Sequence, residues 1–267
     1  MQRTSALILI GNEILSGRTQ DENTQFLAYQ LGKLGIPLQE VRMIPDTREI
    51  IIRTVVELRA AFDEVFTTGG IGPTHDDITS PCIAEAFGVP LEIHPPTFTL
   101  LENHFLKENF NAARQRMAYL PQGAIPIANP ISLAPGFSLG NVHVMAGVPR
   151  IMRAMFENLA PRLKKGTPVI SLTWHVFYLY EGNLAEELKT IQERYPQIDI
   201  GSYPFHCDDG IYGVALVAHG QESTTVQKAA SDIRDLIVSK GGCPLQGEPL
   251  LKPIKTENNS PNKRYST

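Results

Sequence analysis

At 267 residues with 42% hydrophobic residues, the sequence is long enough to bury the core of one large or two smaller domains. Its 24 Lys and Arg against 28 Asp and Glu leave a net charge of −4, a balance that gives no support to nucleic acid or an anionic membrane as principal partner. The three cysteines, Cys82, Cys207 and Cys243, lack paired metal spacing and are too few for a disulfide framework, which points to a reducing cytoplasm.

The N-terminal MQRTSALILIGNEI holds only a short apolar run broken by Gly, Asn and Glu, so it predicts a strand rather than a signal peptide. No apolar run approaches the roughly 20 residues of a membrane helix. Ala6 to Ile10 is the continuous apolar run of a strand buried on both faces. It opens into Gly11-Asn12-Glu13 and then Asp21-Glu22-Asn23. Apolar residues at helical period predict a helix over Thr24 to Leu34, stopped by Gly35, and Leu38 to Ile44 returns as a strand. Asp46 precedes Glu49 at the spacing of a capping box before a helix over Ile50 to Phe62, a role compatible with ligand binding.

The stretch EVFTTGGIGPTHDDIT, Glu64 to Thr79, is the most informative in the chain. A short β-branched and aromatic strand enters a turn with Gly69, Gly70 and Gly72, which can aim several backbone N–H groups at one anion, and Pro73 stiffens the exit. Thr67, Thr68 and Thr74 add hydroxyls, and Thr79-Ser80-Pro81 has the form of an N-cap followed by a first-turn proline. Asp76 and Asp77 repel a phosphate unless a divalent cation bridges them, or else they accept from a ribose or a pterin. A tight turn followed by a capped helix is the structural alternative. Neither Gly-Lys-Ser/Thr nor G-x-G-x-x-G spacing is present. Alternating strands and helices predict a parallel sheet with ligands at the carboxyl ends of its strands, so Glu13, Asp46 and Asp77 are expected on one rim.

Downstream, a short helix over Ser80 to Phe87 ends at Gly88, Pro95 to Met117 predicts a helical pair, and 121–137 is dense in turn chemistry. Val142 to Met145 is a strand and Arg150 to Leu163 a helix. After Gly166 the order strand, helix, strand, strand, helix predicts a small α+β domain of split βαβ type. The polar end from Lys252 to Thr267 predicts a disordered tail. The expected organisation is therefore 1–166, 167–250 and a tail at 251–267.

These residues resemble the molybdopterin-binding (MoaB/Mog-like) superfamily, above all the branch that joins the CinA N-terminal domain and the N-terminal module of eukaryotic FAD synthases. The similarity rests on IGNEILSG at 10–17, Asp21 and Asn23, Asp46, TTGGIGPTHDDIT at 67–79, AFGVPL at 86–91, Arg114-Gln115, MAYLP, the NP and APGF of 129–137 and GVP at 147–149. It covers roughly residues 4 to 165, and IGSYPF at 200–205 is more weakly similar to the segment that follows in the FAD synthase-like branch. The resemblance implies a three-layer α/β/α fold with a mainly parallel sheet. It also implies a nucleotide pyrophosphatase, dependent on a divalent metal (magnesium or cobalt) and on potassium, that cleaves ADP-ribose or FAD to release AMP. Mog-like relatives instead adenylylate molybdopterin, and a non-catalytic nucleotide- or pterin-binding module is a third reading. Carried over by position, Asp77, Asp46 and Glu13 would be catalytic, with Asp46 and Asp77 on the metal. Thr68, Gly69, Gly70, Gly72, Pro73, Thr74, Asp76, Asn23 and Arg114 would hold the ligand. Departures from the family pattern are Asn12 in place of a frequent aspartate, Met145-Ala146 in place of Leu-Pro, Ser132 in place of glycine, and Ile151 in place of glutamate. The expected partner is a small nucleotide or pterin, with homo-oligomerisation implied by the family, and the length leaves no room for the deamidase or FAD-synthesising domains of larger members.

Outside the matched stretches, His206-Cys207-Asp208-Asp209 is weighed as a metal cluster against a surface turn, and Arg114 and Arg116 as phosphate clamps against exposed helix charges. His75 is either a phosphate contact or a solvent-facing turn residue, and His175 predicts a satisfied strand residue.

Overall fold

The computed structural model describes residues 3–105, 107–207 and 210–249. The expected tail at 251–267, and Asp208 and Asp209 of the His-Cys-Asp-Asp run, lie outside the described residues. The chain divides into two compact units, Met1–Pro168 and Val169–Thr267, each with its own core.

In the first unit, β1 (Ser5–Ile10), α1 (Asn12–Leu15), α2 (Asn23–Lys33), β2 (Leu38–Ile44), α3 (Arg48–Ala61), β3 (Glu64–Thr68) and α4 (Thr79–Phe87) alternate as the sequence predicts. The roof of the later site follows: β4 (Leu91–Ile93), α5 (Pro95–His104) and α6 (Ala112–Gln115), then a tight turn at Arg116–Ala118. After it come β5 (Tyr119–Pro121), β6 (Ile125–Ile127), β7 (Gly136–Leu139), β8 (Val142–Met145) and α7 (Pro149–Leu159). The main sheet has the order β2-β1-β3-β8-β7-β6, with β2, β1, β3 and β8 parallel and β7 and β6 antiparallel.

Every residue of β1 and β3 is buried, because helices cover both faces of the sheet. Successive β1 side chains point to opposite sides, so Ala6, Ile8 and Ile10 pack with Ile51, Val55 and Leu58 of α3 and Ile83 of α4. Leu7 and Leu9 pack with Leu27 and Leu31 of α2 and Met152 and Phe156 of α7. The result is the expected three-layer α/β/α architecture. At the start of β3 the buried Glu64 carboxylate takes Arg3 at 2.6 Å and His143 Nε2 at 2.8 Å, and His143 Nδ1 reaches Ser138 Oγ at 2.9 Å. This polar cluster stands at the amino end of the strand, opposite the glycine turn, so it braces the sheet.

Four local expectations change. Asp46 does not cap α3, whose N-cap is Thr47; its carboxylate is turned away to the backbone N–H of Asn12 at 2.9 Å. Thr79 lies inside the first turn of α4 rather than ahead of it, and its hydroxyl donates to Gly69 O at 3.0 Å, fastening the helix to the glycine turn. The helical pair expected over 95–117 is one regular helix and a broken second segment. The break comes at Asn111, whose side chain accepts from Arg114 N at 3.1 Å and so starts the short α6 afresh. The turn-dense stretch also hides strands: β5 pairs with β4 as a ribbon, and β6 with β7 at the edge of the main sheet.

The second unit runs β9 (Ile170–Phe177), α8 (Ala185–Arg194), β10 (Asp199–His206), β11 (Tyr212–Gly220), α9 (Ser223–Ser239) and β12 (Leu245–Gln246). Its sheet order is β10-β11-β9-β12 with antiparallel neighbours, so β11 is inserted between β9 and β10. That is the split βαβ arrangement, closed by Leu188, Ile191, Ile233 and Ile237 of the two helices on one face of the sheet. His175 is buried, with Nδ1 2.7 Å from Gly247 O, a satisfied strand residue.

Candidate functional site

The parallel strands β1, β2, β3 and β8 deliver their carboxyl ends to one edge of the first unit, where the glycine turn leaves β3. Gly69 sits at φ +106°, and a Cβ there would stand 2.1 Å from Ile10 O at the end of the neighbouring β1. Gly70 has φ +67°, with Thr79 Oγ1 2.2 Å from where its Cβ would be. Only glycine therefore lets the turn nest between strand end and helix start. Gly69 N donates to Met145 O at 3.1 Å and Thr79 N to Gly70 O at 3.0 Å, which fixes both sides of the turn.

Beyond the glycines, the Thr74 N–H donates to Asp77 Oδ2 at 2.7 Å, and the Thr74 hydroxyl lies 2.5 Å from carboxylate oxygens of both Asp76 and Asp77. Hydrogen bonds from the Thr74 hydroxyl, and then from the backbone N–H of Asp76 itself, hold the Asp76 carboxyl below the usual carboxylate range. The loop is tied from outside by Arg116, whose guanidinium donates to Pro73 O at 2.9 Å and Thr74 O at 3.3 Å. Arg116 is thus neither a free phosphate clamp nor an idle surface charge.

A cavity of about 670 Å³ opens above the turn, a size ordinary for a small-molecule site. Gly69, Gly70, Gly72 and Pro73 form its floor, and Glu13 and Asp77 supply its carboxylates. Glu13 reaches it from α1 over Gly11, where a Cβ would lie 2.5 Å from Glu13 Oε1. Arg114 lines the cavity with its guanidinium 4.5 Å from the centre of the Phe105 ring, which positions a cation at the rim. Phe105, Met117 and Ala134 of the roof and Gly147 and Ile151 at the start of α7 complete the enclosure.

Not every expected residue arrives there. Asp46 is outside the lining, held by Asn12 N. Thr68 is buried under the turn at 1% exposure and does not open onto the cavity. Asn23 is likewise buried, its amide donating to Gly147 O at 2.8 Å, and it is not among the residues that line the cavity. Asp76 faces solvent, and Thr74 acts on Asp77. The His75 side chain is 97% exposed. Sequence reasoning placed no specific role on Met117 or Ile71, whose apolar character carries no signal of a site. The role of Asn129 was signalled only by its Asn-Pro turn: its Oδ1 accepts from Ile131 N and Ser132 N and its amide donates to Ala134 O, shaping the cavity's upper wall.

A second cavity, of about 740 Å³, adjoins the first across the loop and shares Ile71, Gly72, Asp77 and Met117 with it. Among the described residues no group of three or more His, Cys, Asp or Glu side chains stands ready to cage a metal ion. Two carboxylates on one cavity do fit a hard divalent cation of the magnesium type, which takes one or two protein carboxylates and completes its shell with water and substrate phosphate. Of the three carboxylates expected on the rim, Glu13 and Asp77 line this cavity and Asp46 does not.

A family model described as "Probable molybdopterin binding domain" matches residues 6–165, more than half the chain. The chain belongs to this family. Within the molybdopterin-binding-domain family, its second unit adds a match to "FAD synthase, middle domain" over residues 173–241. A relative from Pyrobaculum arsenaticum is 31% identical over 252 residues, covering 88% of this chain and 95% of its own length. A competence-damage inducible protein from Clostridioides difficile is 37% identical over 194 residues, 69% of this chain and 46% of its own, so this chain spans about half of that relative. Among solved structures, the protein CinA from Thermoplasma acidophilum, whose function is given as unknown, superposes with a TM-score of 0.57 at 29% identity over 60% of this chain and 97% of its own. No described helix is long and apolar enough to cross a membrane.

Proposed function

We propose that the first unit is a metal-dependent nucleotide pyrophosphatase that hydrolyses ADP-ribose or FAD-type dinucleotides to AMP and a phosphate ester. The observation that carries this reading is the pairing of Glu13 and Asp77 on one cavity whose floor is the Gly69–Pro73 backbone. Magnesium or cobalt bound by Glu13 and Asp77 would polarise a phosphoryl oxygen and acidify water there. The chain's own groups do the rest. The glycine turn brings main-chain N–H groups close to a pyrophosphate, Arg114 offers a cation at the rim, and Thr74 orients the Asp77 carboxylate by two hydrogen bonds. Attack of water on phosphorus breaks the bridging P–O bond and frees AMP, with the water's protons passing to the two phosphate products and solvent.

The family match favours a second reading, a molybdopterin-binding or adenylylating protein, because both chemistries handle a pyrophosphate joined to adenosine. Chromatography of ADP-ribose and FAD incubated with the protein, magnesium or cobalt, and with or without potassium tests the first. AMP release that vanishes in Asp77→Asn supports it; absence of turnover, with tight pterin binding, replaces it by the second.

A further inference from the structure

Among the described residues β2 has β1 on one side and no strand on the other, so it is an open edge of the main sheet. Its pairing shows which backbone groups are free. Gly11 N donates to Ile44 O at 3.1 Å, continuing the register that sets Ala6 beside Glu40 and Ile10 beside Ile44. Bonding directions alternate along a strand. Glu40, Arg42 and Ile44 therefore turn their N–H and C=O groups to β1, whereas Val41 and Met43 turn theirs out from the sheet, and no bond to a described residue occupies them. The side chains of Val41 and Met43 share one face and are 39% and 48% exposed. Edge strands kept single carry Pro or Lys on the free side, or a bulge. Leu38–Ile44 holds neither residue, and its one register shift lies ahead of Glu40, outside the segment concerned.

The opposite face of the strand is charged. Glu40 and Arg42 both stand on it, with Arg42 2.5 Å from Glu40 and 2.7 Å from Glu57 of α3. The order acid, Val41, base is its own complement when reversed. With a second copy antiparallel and a two-fold axis at Val41, Glu40 of each copy faces Arg42 of the other, and the two Val41 residues exchange N–H···O=C bonds. An axis at Arg42 would instead set like charges against each other. An axis at Met43 would set Val41 opposite Pro45, which has no N–H to give. The Val41 axis alone satisfies both the charges and the backbone.

We propose that β2 is a homodimer interface, in which two copies of the chain pair antiparallel about Val41 and join their six-stranded sheets into one. The occupant of the edge is thus a second copy of this chain, held by main-chain bonds, by the Glu40 and Arg42 crossings on one face and by Val41 and Met43 on the other.

Sedimentation velocity of the full chain tests this at loadings from about 1 to about 100 µM, the range in which weak specific interfaces dissociate. The native chain is expected to form a dimer. Val41→Pro removes an outward N–H and no bond to β1, and is expected to weaken the dimer at least about tenfold. Glu40→Arg and Arg42→Glu each put like charges at both crossings and are expected to cause a similar loss when examined alone. Mixed in equal amounts they oppose unlike charges at both crossings again, so a dimer is expected to return. Circular dichroism and the urea midpoint check that each variant is folded. A native chain that stays monomeric or forms a trimer, a dimer that persists in all three folded variants, or a mixture that stays monomeric would overturn the proposal.

Discussion

Arg116 donates to the carbonyl oxygen of Pro73 at 2.9 Å, so the loop that carries Asp76 and Asp77 is anchored to the segment that roofs both cavities. Without that anchor the loop keeps its glycine base but loses its outer support. Arg116→Met is therefore expected to weaken nucleotide binding by about tenfold while changing folding stability by less than about 1 kcal/mol, since the bonds lie at an exposed position. Calorimetric titration beside urea denaturation separates the two effects.

Asp77→Asn keeps the size of the side chain and an acceptor for the Thr74 N–H, while removing the charge that faces the cavity. AMP release is expected to fall by roughly a hundredfold or more with an unchanged unfolding midpoint. Equal activity in the variant would refute a catalytic role for this carboxylate.

Gly69→Ala places a methyl group against Ile10 O at a backbone angle that L side chains rarely adopt. The two penalties together are expected to destabilise the first unit by at least about 2 kcal/mol, measured as a shift in the urea midpoint. Gly17, also at positive φ but with open space around it, serves as the control and is expected to tolerate alanine better.

Burial pushes the Cys82 thiol up from near 9 to about 11. The folded state therefore favours the protonated thiol, and the associated stability is complete below pH 9 and lost as pH rises toward about 11. Cys82→Ala is expected to flatten that alkaline loss in thermal melts taken between these limits. In native protein at neutral pH, a thiol reagent is expected to label the exposed Cys243 well before Cys82.

The layers of the fold were legible because β1 is a continuous apolar run, α2 and α3 carry apolar residues at helical period, and both helices end at a glycine or polar stop. Regions built from strands of three or four residues were not: β4 to β7 are too short for a period to emerge beside their own turn signals. At the candidate site, the glycine turn announces itself because positive φ and close backbone approach demand glycine at 69 and 70. Asp46 misled for a physical reason. An aspartate three residues before a glutamate fits a capping box, but the free backbone N–H of Asn12 across the neighbouring strand end is the donor it takes. Thr68 and Asn23 sit in the matching motifs yet are buried away from the cavity lining, a distinction that residue type alone does not encode. The contact between Arg116 and the loop joins residues 43 positions apart through carbonyl oxygens, which carry no trace in the sequence.

The roof over both cavities has a core of its own, where Leu101, Phe110 and Ala118 pack with Phe98, Phe105 and Met117. The glycine turn, by contrast, grows from β3, between β1 and β8 in the middle of the main sheet. A substitution among Leu101, Phe110 and Ala118 is therefore expected to loosen the cover of the cavities before it reaches the glycine floor beneath, because the two are held by different sets of apolar contacts.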